Sequence, residues 1–103
     1  MPCDRYILDA TGKPVAEPDL LKWAAWMEKR EGTVAREKIG NAEVSTVFLG
    51  LDHAFGCRQP VLWETMVFGG PLDQEQDRCA GTREQAEAMH VAMLARVRAK
   101  TDH

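Results

Sequence analysis

The sequence has no apolar run near the roughly 20 residues a membrane helix needs. It has no excess of base: thirteen Lys and Arg stand against sixteen Asp and Glu, for a formal charge of -3. A nucleic-acid binder neutralises phosphates with clustered cations, so direct nucleic-acid binding is excluded as the default. The three cysteines, Cys3, Cys57 and Cys79, are odd in number and widely spaced. A disulfide framework prefers an even count, so they read as reduced thiols of a cytoplasmic protein. Met1 to Tyr6 shows no basic segment leading into an apolar run, and no secretory signal is expected there. There is no nucleophile elbow, phosphate loop or dinucleotide fingerprint. Gly69-Gly70 leads into Pro71, which argues against a phosphate cradle.

What is there is ordinary globular material. Hydrophobic residues make up 45% of the 103 positions and charged residues 28%, close to the average for folded domains. That is too apolar for disorder and too mixed for a membrane protein. One domain with one core, needing no staples, is the natural reading.

Arg5 to Leu8 is a short β-prone run, and Asp9-Ala-Thr-Gly12 a turn. Lys13 to Pro18, with two prolines, reads as extended connection. A first helix is expected from Pro18, with Leu20, Trp23, Ala24 and Met27 on one face, widened by Leu21 and Trp26, and Gly32 as its stop. Thr33 to Ile39 reads as an edge strand, Gly40-Asn41 as a two-residue hairpin turn, and Ala42 to Leu51 as a strong central strand. After a loop from Asp52 to Pro60, Val61 to Phe68 is the next strand. Leu72 to Gly81 reads as irregular. Thr82-x-x-Gln85 is a capping-box pattern opening a helix whose stripe is Ala86, Met89, His90, Met93, Leu94 and Val97. Arg96, Arg98 and Lys100 suit the negative end of its dipole.

The fold class expected is α+β: two layers, with an antiparallel sheet of three to four strands and two helices packed on one face. Trp23, Trp26, Phe48, Trp63, Met66 and Phe68 would dominate the core. The other sheet face carries enough apolar side chains to suggest a partner or a dimer mate.

Three constellations could carry chemistry. His53 and Cys57 share a loop, and Cys79 and His90 could complete a zinc set, but the close cysteine pairs of a zinc signature are missing. The bland alternative is a loop histidine, a free thiol and a helix histidine at the core's edge. Cys57 beside His53 could be a thiolate–imidazole pair, yet no motif supplies an orienting group, and Asp52 adjoins His53 on an extended segment. Glu64 shares an apolar row with Leu62, Met66 and Phe68. It should pair with a sheet neighbour such as Arg36 or Lys38, or face solvent; the sharper readings are a binding carboxylate near Asp52 and His53, or a general acid. The acidic residues Asp73, Glu75 and Asp77 read as a solvated loop or as a surface for a basic partner. No catalytic residue, metal ligand or cofactor is assigned.

The segments Val44–His53 (VSTVFLGLDH) and Leu62–Gly70 (LWETMVFGG), with Tyr6–Asp9 and Glu17–Trp23, resemble a group of small uncharacterised proteins of bacteriophages and prophages. Cys57 departs from that group's loop, which weakens the zinc and thiolate readings. The resemblance carries no activity and implies only a phage-like accessory context. Together with size and acidity it leads to an expected binder: a cytoplasmic accessory protein that occupies a host protein or complex, as an inhibitor of a bacterial defence system does in the manner of anti-CRISPR proteins, with a homodimer possible and no membrane involved. The alternative is a small metal-binding or hydrolytic enzyme using the Asp52/His53/Glu64 region. A virion role is a third option.

Overall fold

The computed structural model describes residues 5–30, 33–51, 61–79 and 81–101. The chain is α+β, with a two-stranded and a four-stranded antiparallel sheet and two helices.

The small sheet pairs β1 (Tyr6–Leu8) with β2 (Pro14–Ala16). Its turn is built by Asp9, whose Oδ1 accepts from the Thr11 hydroxyl at 2.6 Å and from the backbone N–H groups of Thr11 and Lys13 at 2.8 and 3.0 Å. Side-chain capture of this kind is what makes Asp a turn former. The connection expected from Lys13 to Pro18 therefore contains a strand. Pro14 is tolerated because a two-stranded ribbon has only edges.

Helix α1 (Leu20–Lys29) starts two residues later than expected. Asp19 holds an extended backbone, and its Oδ1 accepts from Leu21 N–H at 2.9 Å and Lys22 N–H at 3.2 Å. It is the N-cap, which leaves Pro18 outside the helix. The expected stop at Gly32 lies outside the described residues. The face is also narrower than predicted. Trp23, Trp26 and Met27 are half-buried, while Leu20, Leu21 and Ala24 are exposed, and no α1 residue is fully buried. The helix is held by its tryptophans: Trp23 Nε1 donates to the Gly50 carbonyl at 3.0 Å, and Trp26 stands edge-on to Phe48 with centroids 5.8 Å apart.

The main sheet has the order β3 (Thr33–Ile39), β4 (Ala42–Phe48), β5 (Trp63–Phe68), β6 (Gln76–Cys79), each strand antiparallel to the next. The hairpin turn at Gly40-Asn41 forms as read, with positive φ at Gly40 alone; this is the pattern of a II′ turn, which matches strand twist. Strand β6 corrects the expectation of an irregular stretch. Its connection folds back on Asp73, whose Oδ1 accepts from Gly69 N–H at 2.6 Å, with Gly69, Gly70 and Gln74 at positive φ.

Helix α2 (Arg83–Thr101) lies across one face of this sheet. Its capping box is formed: Thr82 N–H donates to Gln85 Oε1 at 3.0 Å, and Gln85 N–H to Thr82 Oγ1 at 3.3 Å. All six residues of the predicted stripe are buried. They close two apolar clusters. One holds Ala42, Val44, Val67, Met93, Leu94 and Val97. The other holds Phe48, Leu62, Trp63, Ala86 and Met89, with Trp26 packed against it.

Met66 and Phe68 are not in this core. Trp63 and Phe48 are register partners on the helix side, and a strand alternates faces with period two. Glu64, Met66 and Phe68 therefore project to the opposite side.

Candidate functional site

The two faces of the sheet carry different chemistry. On the inner face, Thr46 and Thr65 are register partners in rows that are otherwise Val44, Phe48, Trp63 and Val67. Both are fully buried, as is His90 on α2 at 2% exposure. The three link in a line. Thr65 Oγ1 lies 2.6 Å from Thr46 Oγ1, and Thr46 Oγ1 lies 2.7 Å from His90 Nδ1. His90 Nε2 lies 3.2 Å from Glu37 Oε1 on β3, and the Glu37 side chain is half exposed.

Hydrogen-bond inventory sets the direction of the line at its Glu37 end. An ionised carboxylate only accepts, so Nε2 carries the proton and donates to Glu37. With the ring proton on Nε2 alone, Nδ1 accepts from the Thr46 hydroxyl, and Thr46 accepts from Thr65. Every donor in the chain is satisfied, as burial requires. The sequence of hydroxyl, imidazole and carboxylate has the order of a nucleophilic triad. Here both hydroxyls are sealed under α2, where no substrate carbonyl can reach them. The arrangement can hold the helix on the sheet but cannot attack a ligand.

On the outer face, Val47 and Met66 are half-buried and Phe68 is 43% exposed. Two ion pairs flank them. Arg36 pairs with Glu43, and Arg78 Nε donates to Glu64 Oε2 at 2.8 Å. Lys38 extends the β3 side of this face as the register partner of Glu43. Such partly exposed pairs add little stability, typically up to about 1 kcal/mol each, but they set a charged rim around an apolar centre.

The predicted site residues distribute as follows. Asp52, His53 and Cys57 lie outside the described residues. Glu64 is on the outer face with Arg78, not with Arg36 or Lys38, because β4 separates β5 from β3. Asp73 ties the β5–β6 turn. Glu75 accepts from Arg96 of α2 at 3.0 Å. Asp77 is exposed on β6, with Oδ1 accepting from Arg78 N–H. The acidic run is thus partly engaged in holding the turn and the helix. Cys79, half-buried at the end of β6, has its thiol pushed up mainly by burial and further by the Asp77 carboxylate, so it is a poor nucleophile at neutral pH. His90 is in the core with the threonines, far from a ligand role with Cys79. Among the described residues no group of three or more His, Cys, Asp or Glu side chains is placed to hold a metal ion, and no helix is long and apolar enough to cross a membrane.

The polar line on the inner face was missed in the sequence, although a signal exists. His90 is the single polar member of an apolar helical stripe. Thr46 and Thr65 are likewise the polar members of apolar strand rows.

No protein-family model matches the chain, and neither does any curated protein or solved structure.

Proposed function

We propose that the protein acts by binding another protein through the outer face of its four-stranded sheet. The observation that carries this is the asymmetry of the sheet. The inner face is filled by α2 and by Trp26, whereas the outer face keeps Val47, Met66 and Phe68 at the surface inside a rim of Arg36, Glu43, Glu64 and Arg78. An apolar centre with a polar rim is the anatomy of a recognition surface. The small acidic chain and its resemblance to phage-encoded proteins favour a host protein or complex in the bacterial cytoplasm as the partner. Inhibition of a bacterial defence system is the concrete form of this reading. Asp73, Glu75 and Asp77 contribute less, because Asp73 holds the β5–β6 turn, Glu75 pairs with Arg96 and Asp77 accepts from the Arg78 backbone.

The test is affinity capture from bacterial lysate, with sedimentation of the purified protein beside it. A host protein retained by the wild type and released by Phe68→Lys supports the reading. A stable homodimer broken by the same substitution assigns the face to a second copy instead. Retention of the partner by Phe68→Lys with unchanged affinity overturns the assignment of the face.

A further inference from the structure

We propose that the protein seated on the outer sheet face is acidic, and that it sets a carboxylate against the flank formed by Arg36 and Lys38 while an apolar side chain covers Phe68. This rests on the outer face being the binding surface. The charges of that face are shared unevenly between its two sides. On the β6 side Arg78 Nε meets Glu64 Oε2 at 2.8 Å, one cation to one carboxylate. On the β3 side two cations border one carboxylate. Arg36 Nε is bound to Glu43 Oε1, and the exposed Lys38 is the register partner of the same Glu43. Glu43 is in turn the register partner of Phe68 on β5. The row Lys38–Glu43–Phe68 therefore sets the surplus cation two strand spacings, roughly 10 Å, from the exposed ring.

Among the described residues this face holds three cations and two carboxylates, a charge of +1. The remaining ten Lys and Arg and fourteen Asp and Glu leave the rest of the chain at -4. The face is thus locally positive on a negative molecule. Charged rims select partners by complementary potential, and like charges brought together cost affinity. A basic protein would meet Arg36 and Lys38 unfavourably, and a second copy would bring another face of the same sign. At physiological salt, exposed charges more than about 8 Å apart are largely screened. The flank, and not the net charge of the chain, then sets the sign that a docked partner meets.

A displayed library of a small helical scaffold with one randomised face supplies defined binders. Clones are selected on the wild type and counter-selected on Met66→Thr/Phe68→Thr, which keeps every charge and removes the apolar centre. The selected binders should pair an apolar residue with Asp or Glu. Their affinity should fall at least about tenfold for Lys38→Glu and stay within about twofold for Lys38→Arg, which keeps the charge. Alanine in place of the binder's carboxylate should cancel the effect of Lys38→Glu. Phe68-dependent binders that are neutral or basic, or that hold Lys38→Glu as tightly as the wild type, overturn the acidic assignment and leave the binding face standing. Selection that returns no Phe68-dependent binder removes the binding face itself, and the acidic partner with it.

Discussion

His90 and Thr46 stand 44 positions apart in sequence and 2.7 Å apart in the fold, one on the helix and one at the centre of the sheet it covers. This contact sits, with the Thr65 hydroxyl and the His90–Glu37 contact, in an interface otherwise built from apolar side chains. Single substitutions along the line should therefore be unequal. Thr46→Val strands both the Thr65 hydroxyl and His90 Nδ1, and urea denaturation should show a loss of about 1–3 kcal/mol. Thr65→Val leaves the Thr46 hydroxyl free to donate to Nδ1 and should cost less. Equal losses at the two positions would contradict the direction assigned to the chain.

At α1, Asp19→Ala removes the side chain that accepts from Leu21 and Lys22. Loss of such a cap costs about 1 kcal/mol of helix stability. Because no α1 residue is fully buried, the effect should stay local. Hydrogen exchange at Leu21 and Lys22 should quicken while the exchange of β4 and β5 amides stays unchanged.

Gly69 and Gly40 both adopt positive φ, at +83° and +58°, but their surroundings differ. A Cβ at Gly69 would run into the Asn41 carbonyl, which belongs to the neighbouring hairpin turn, whereas a Cβ at Gly40 meets open space. Gly40→Ala should cost about 1 kcal/mol from backbone conformation alone. Gly69→Ala adds a steric penalty of about 1–3 kcal/mol, and thermal unfolding should rank the two accordingly.

The Asp9 carboxyl is held below the usual carboxylate range, first by the Thr11 hydroxyl and then by the backbone N–H groups of Lys13 and Thr11. A folded value below the unfolded one means that this contribution is present above the ordinary carboxylate range. It is lost as pH falls through that range towards the folded value. Protection factors of the Thr11 and Lys13 amides, taken relative to the intrinsic exchange rate at each pH, should fall on acidification over that window, and Asp9→Asn should abolish that dependence.

How much of this was legible in the sequence depended on periodicity. The stripe of α2 and its capping box were readable because the 3.6-residue pattern runs unbroken from Ala86 to Val97, and the hairpin because Gly40-Asn41 is a local signal. Strand β6 was hidden, since an exposed edge strand reading Gln-Asp-Arg-Cys has no apolar alternation to reveal it. Met66 and Phe68 were assigned to the core because their strand is apolar on both sides, and only the inward packing of Trp63 sets which parity faces the helix. Glu64 has a sheet neighbour as its partner on the outer face, as its row suggests, but that partner is Arg78 rather than Arg36 or Lys38, because pairing order is a property of the whole sheet. The role of Thr46 and Thr65 needed the register between β4 and β5, and the helix across them, before it could be seen. Asp52 and His53 lie outside the described residues.

The proposed binding face is the outer side of the sheet, yet α1 also exposes apolar surface, with Leu20 at 56% and Leu21 at 80% exposure. Binding of the captured partner to two variants separates the surfaces. Met66→Thr/Phe68→Lys keeps strand-compatible residues and sets a cation opposite Glu43. Leu20→Asp/Leu21→Asp adds charge that suits the start of a helix. Calorimetric titration should show affinity lost by at least about tenfold, or 1.4 kcal/mol, in the sheet variant and kept in the helix variant. The reverse result, with binding lost only when Leu20 and Leu21 are changed, would contradict the assignment.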